Sequence, residues 1–72
     1  MIIEREDINR MKELARWVAA NERNHVGIHE REVGFKNDMA AKYGEKEAIR
    51  MLTKVWKLSK ELQEDKDVSS LD

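Results

Sequence analysis

The stretch Glu45–Glu64, EKEAIRMLTKVWKLSKELQE, decides the fold. Ala48, Met51, Val55, Leu58 and Leu62 recur in it at spacings of 3, 4, 3 and 4, the seam of a helix with one buried face. Ile49, Leu52 and Trp56 run beside that seam at spacings of 3 and 4. The apolar arc is therefore wider than a two-stranded coiled coil needs, and a wide arc implies packing against two neighbours. The pattern predicts a helix over about residues 45–64.

Upstream, Ile8, Met11, Leu14, Ala15 and Val18 form a second stripe, with Arg10, Lys12, Glu13 and Arg16 largely off it. Glu4, Glu6 and Asp7 fall in the expected first turn, where negative charge suits the positive end of the helix dipole. This predicts a helix over about residues 4–24. Between the two lies a short echo offset by seven, Val26-Gly27-Ile28-His29-Glu30-Arg31 against Val33-Gly34-Phe35-Lys36-Asn37-Asp38. A left-handed cap at Gly27, two glycines inside one helix, and a small hairpin all fit it. The cap is favoured, because an interior Gly costs about 1 kcal/mol relative to Ala. A middle helix over about 30–43, ended by Gly44, then follows. Residues 61–72 carry five acids against one Lys66, so 65–72 reads as a flexible acidic tail.

The expected architecture is all-α: a single domain over 1–64, built as a small three-helix bundle or a broken helical hairpin. Seventy-two residues without Pro or Cys, 40% of them charged, fit that class and exclude a disulfide framework or a Cys-based zinc site. No apolar run approaches the roughly 18 residues of a membrane span, and the default expectation is a cytoplasmic protein that does not engage membranes. Single cores below about 70–80 residues are marginal. Homodimerisation that buries Ile49, Leu52 and Trp56 is therefore expected to complete the bundle. Trp17 lies about 120° around its helix from the centre of the apolar stripe. Either the middle of the chain covers it, or it forms a contact surface with neighbouring arginines.

Catalytic machinery is hard to find. The hydroxyl side chains are Tyr43, Thr53, Ser59, Ser69 and Ser70, no activating motif surrounds either His, and the three glycines are isolated. No enzymatic activity and no cofactor are expected. The leading expectation is a non-catalytic interaction module, a regulator, inhibitor or adaptor, that binds a protein partner through Trp17, Ile49, Leu52 and Trp56.

Two alternatives compete. Residues 36–60 carry a net charge of +4, and Lys46, Arg50, Lys54, Lys57 and Lys60 recur along the last helix as a stripe suited to a phosphate backbone. Asp38-Met39-Ala40-Ala41-Lys42-Tyr43-Gly44 resembles the first helix and turn of a helix-turn-helix, which would imply a DNA- or RNA-binding regulator. Glu45 and Arg50 stand where that motif wants apolar residues. In the other alternative, Glu22, His25, His29 and Glu32 would share one face of a continuous helix and hold a transition metal.

Overall fold

The computed structural model describes residues 2–71, with side chains from residue 2 to residue 64. Three helices follow in order, α1 (Arg5–Ala20), α2 (His25–Tyr43) and α3 (Glu45–Leu71). No strand occurs among the described residues. The protein is an all-α three-helix bundle. At 1.5 Å rise per residue the 27 residues of α3 span about 40 Å, so this helix sets the long dimension of a 43 × 26 × 17 Å particle. Both α1 and α2 lie along α3 and touch each other far less. Asp7 near the start of α1 meets Tyr43 at the end of α2. His25 and Ile28 at the start of α2 come beside Trp56 and Ser59 of α3, and Leu62 lies by Ala19 and Ala20 of α1. The helices therefore run up, down and up.

The core confirms the seam read from the sequence. Met11, Leu14, Ala15 and Val18 of α1 and Ile28, Phe35 and Met39 of α2 close on Ala48, Met51 and Val55 of α3, with Leu58 and Leu62 partly buried against them. The wide arc on α3 does engage two neighbours, yet they leave its flank open. Ile49 and Trp56 stay 49% and 45% exposed. Ile8, read as part of the first stripe, is exposed as well, and so are Val26 and Val33 of α2.

The break between the first two helices is not where Gly27 predicts it. The chain leaves α1 at Asn21, whose backbone N–H and side-chain amide both donate to the Trp17 carbonyl, at 2.9 and 2.8 Å. Asn24 then caps α2, its Oδ1 accepting the Gly27 N–H at 3.0 Å. Short amide side chains of this kind bond to nearby backbone more readily than they continue a helix. The first helix thus ends at Ala20 rather than near residue 24. The second starts at His25 rather than near 30, with both Gly27 and Gly34 inside it.

Gly27 has a packing reason, since a Cβ there would lie 2.6 Å from Nδ2 of the capping Asn24 and 2.9 Å from Cη2 of Trp17. Gly44 has a conformational one. At φ +92° it turns the chain from α2 into α3 in a single residue, where an L side chain would be strained. A helix-turn-helix joins its helices through three or four residues, so the likeness at residues 38–44 does not extend to the turn.

Beyond Glu64 the backbone remains helical to Leu71 where the sequence predicts a tail. Neither Gly nor Pro interrupts residues 45–71, so the acidic composition alone does not end the helix. The side chains of that tail, and residue 72, lie outside the described residues.

A Cβ at Gly34 would enter open space, with no packing neighbour within 4 Å, so Gly34→Ala is expected to raise the unfolding free energy by about 0.5–1 kcal/mol. Gly27→Ala is expected to gain less or to lose stability, because its methyl must displace the capping Asn24 amide and the indole. Urea melts of the two variants check the contrast.

Candidate partner-binding surface

Ile49, Leu52 and Trp56 occupy successive turns of α3 on the side of its apolar arc that the other helices cover least. Leu52 is half-buried against the core, and its two neighbours in the row stand out from it. One turn before Ile49 comes Lys46, and one turn after Trp56 comes Lys60, both exposed. At the Trp56 end the row opens into a cleft of about 180 Å³, lined by Val18, Ile28 and Trp56 together with Glu22, His25, Ser59, Lys60 and Gln63. Ser59 is buried there, and its hydroxyl is already used, donating to the Trp56 carbonyl at 2.8 Å.

The basic residues singled out in the sequence share this helix. Lys46, Arg50, Lys54, Lys57 and Lys60 are all exposed. Arg50 is tied to Glu47, Nη1 to Oε1 at 3.1 Å. Among the described residues the four lysines have no ion-pair partner.

Trp17 is placed differently from its companions in the predicted surface. It is half-buried on the opposite side of α2 from the row, with Gly27 against Cη2 at the ring edge and the Arg31 guanidinium 4.1 Å from its centroid. The expectation that the middle of the chain covers it describes its surroundings. Arg10 lies 5.8 Å from the centroid of Phe35 and pairs with Asp38 at 2.9 Å. Between these two stacks runs a groove of about 490 Å³, floored by Leu14 and the bare Gly34.

The predicted metal ligands are not brought together. Among the described residues no group of three or more His, Cys, Asp or Glu is placed to hold a metal ion. Glu22 falls in the turn before α2, outside the continuous helix that such a site requires, and both His25 and His29 are exposed. Glu32 turns inward instead, and its Oε1 is buried without a hydrogen-bond partner. Burial pushes its carboxyl above the usual range, and the nearby charge of His29 opposes that shift.

One polar cluster is invisible in the sequence pattern. Asp7, a simple first-turn acid by its position in the chain, is only 1% exposed. Tyr43 donates its hydroxyl to Oδ2 at 2.6 Å, and Lys42 reaches the same oxygen at 3.1 Å. The Tyr43 oxygen in turn accepts the Glu4 N–H at 3.1 Å. The Tyr43 hydrogen bond, more than burial or Lys42, sets the balance that holds the Asp7 carboxyl below its usual value. The same carboxylate raises both Lys42 and Tyr43. Each group keeps its ordinary neutral-pH protonation state more firmly, so the cluster works as a clamp between the start of α1 and the end of α2.

The chain matches no family model, no curated protein and no solved structure.

The clamp has a testable pH signature. A depressed carboxylate stabilises the fold above its unfolded pKa, near the ordinary 3.8, and that contribution disappears as the pH falls through the folded value. Asp7→Asn is therefore expected to lower Tm at neutral pH, with the gap to the parent closing below pH 3.8. The raised Lys42 and Tyr43 act in the opposite sense. Their contribution is complete below about pH 10 and is lost at higher pH. Thermal melts across pH check both arms.

Proposed function

We propose that this chain is a non-catalytic protein-interaction module, acting as a small regulator, inhibitor or adaptor. The observation that carries the reading is the row of Ile49, Leu52 and Trp56, in which Ile49 and Trp56 stand exposed on either side of a Leu52 half-buried against the core. A half-exposed Trp beside a cleft is the kind of anchor that dominates protein interfaces, because a large ring is desolvated for little loss of side-chain freedom. The lysines around it would set the encounter rate and the choice of partner more than the affinity. Trp17 contributes to this reading through stability, since Arg31 lies over its ring and Gly27 packs against its edge at Cη2.

The same lysine stripe favours a second reading, a nucleic-acid-binding regulator. It accounts for the cations but leaves Ile49 and Trp56 without a role, and it ranks behind the first for that reason.

Trp56→Ala is expected to leave helix content and Tm nearly unchanged, whereas Trp17→Ala should destabilise by about 1–2 kcal/mol. A photo-crosslinking residue at position 56 is expected to give discrete protein adducts in the native host, and one at the exposed Val26 is not. Adducts at both positions alike, or none at 56, would remove the interaction reading.

A further inference from the structure

We infer that the groove between α1 and α2 binds a small zwitterion with an apolar side chain, of amino-acid or dipeptide size. Arg31 holds its carboxylate, Glu13 its ammonium, and its apolar body lies on Leu14 and Gly34. The site is separate from the α3 row and does not depend on the interaction reading above.

Gly34 supplies the first argument. It stands in the middle of α2, where a glycine costs roughly 0.5–1 kcal/mol relative to alanine. Gly27 is kept bare by its neighbours and Gly44 by its positive φ, but a Cβ at Gly34 would enter open space. That space is the groove, which Gly34 lines together with Leu14. A bare backbone at this point leaves room on the floor for the side chain of a ligand.

Shape supplies the second. The Arg31–Trp17 stack stands at one end of the groove and the Arg10–Phe35 stack at the other. The space between them is about 490 Å³, within the roughly 300–1,000 Å³ range of small-molecule sites. A groove bracketed at both ends takes a compact molecule better than a helix running through it. A second copy of the chain fits no better, because a two-fold axis would set one concave groove against another and fill neither.

Charge supplies the third. The groove is lined by two arginines, Arg10 and Arg31, and two acids, Glu13 and Asp38. Arg10 and Asp38 answer each other across the helices at 2.9 Å. Arg31 on α2 and Glu13 on α1 are exposed and have no ion-pair partner among the described residues. The Arg31 guanidinium sits 4.1 Å from the centroid of the Trp17 ring, and this stack fixes it for a carboxylate before any ligand arrives. A simple anion would be repelled by Glu13 and a simple cation by Arg31. A molecule that carries both charges answers both walls.

Alanyl-phenylalanine, its N-acetyl derivative and its C-terminal amide provide the probes, titrated into the full chain by calorimetry. The free dipeptide is expected to bind at least about tenfold tighter than either blocked form, since each lost charge forfeits a charge-assisted hydrogen bond. Glu13→Gln should erase the advantage over the N-acetyl form, and Arg31→Gln the advantage over the amide. Gly34→Leu should abolish binding with helix content and Tm retained, because its side chain fills the floor. Arg31→Gln also removes the stack on Trp17, so Glu13→Gln, a change at an exposed residue, keeps the test open if the first variant loosens the fold. Equal binding of the three probes, or binding that ignores Gly34→Leu, would overturn the site. Tighter binding of the N-acetyl form would overturn the role of Glu13 and with it the zwitterion. Absence of binding at about 10 mM dipeptide would overturn the inference as well, and a dimer in light scattering that Gly34→Leu dissolves would then assign the groove to a second copy.

Discussion

The apolar arc of α3 is wider than α1 and α2 together can cover. The seam residues Ala48, Met51 and Val55 vanish into the core, which takes in the inner faces of both shorter helices. Ile49 and Trp56 lie too far around the same helix for either neighbour to reach over them. Burying them would need a fourth element, and the described chain offers none. The exposed row therefore follows from the number of helices and the width of one face, and the interaction proposal is a consequence of that shortfall.

Holding the bundle together around α3 falls to polar devices at its two ends. At one end, Asn21 and Asn24 fold their side chains onto the backbone and turn α1 into α2 within a few residues. At the other, Asp7 gathers Tyr43 and Lys42, joining helices that otherwise touch little. A buried carboxylate is tolerable only when its lone pairs are answered, and here a phenol and an ammonium answer them. Glu32 is the counterexample within the same molecule. One of its oxygens is buried without a donor, and its carboxyl is pushed toward the neutral form.

What can be read in the linear chain follows from how local each signal is. The outer two helices and their apolar stripes are legible because period 3.6 is written in consecutive residues, whereas the middle of the chain fits a cap, an unbroken helix or a hairpin. The first break is misplaced for an equally local reason. Gly27 invites a cap, while the pair Asn21 and Asn24 is the stronger signal for a turn and an N-cap. Gly27 is instead kept bare by the Asn24 cap beside it and by Trp17, ten residues earlier, and no window of sequence displays the second contact. The Glu22, His25, His29 and Glu32 spacing fails with the same error, since it assumes helix across residues that form the turn.

The sequence by itself determined that this is an all-α chain with a wide apolar face and a basic stripe on its last helix, and left three helices or a broken hairpin open, because helical period and charge spacing are properties of neighbours along the chain. Only the tertiary structure decided that Trp17 is stacked under Arg31 while Trp56 is half free, and that Asp7 is a buried clamp rather than a surface charge. Burial and pairing depend on which distant residues arrive alongside. Both tryptophans are candidates for an open surface in the sequence, and they are told apart only once the helices are docked.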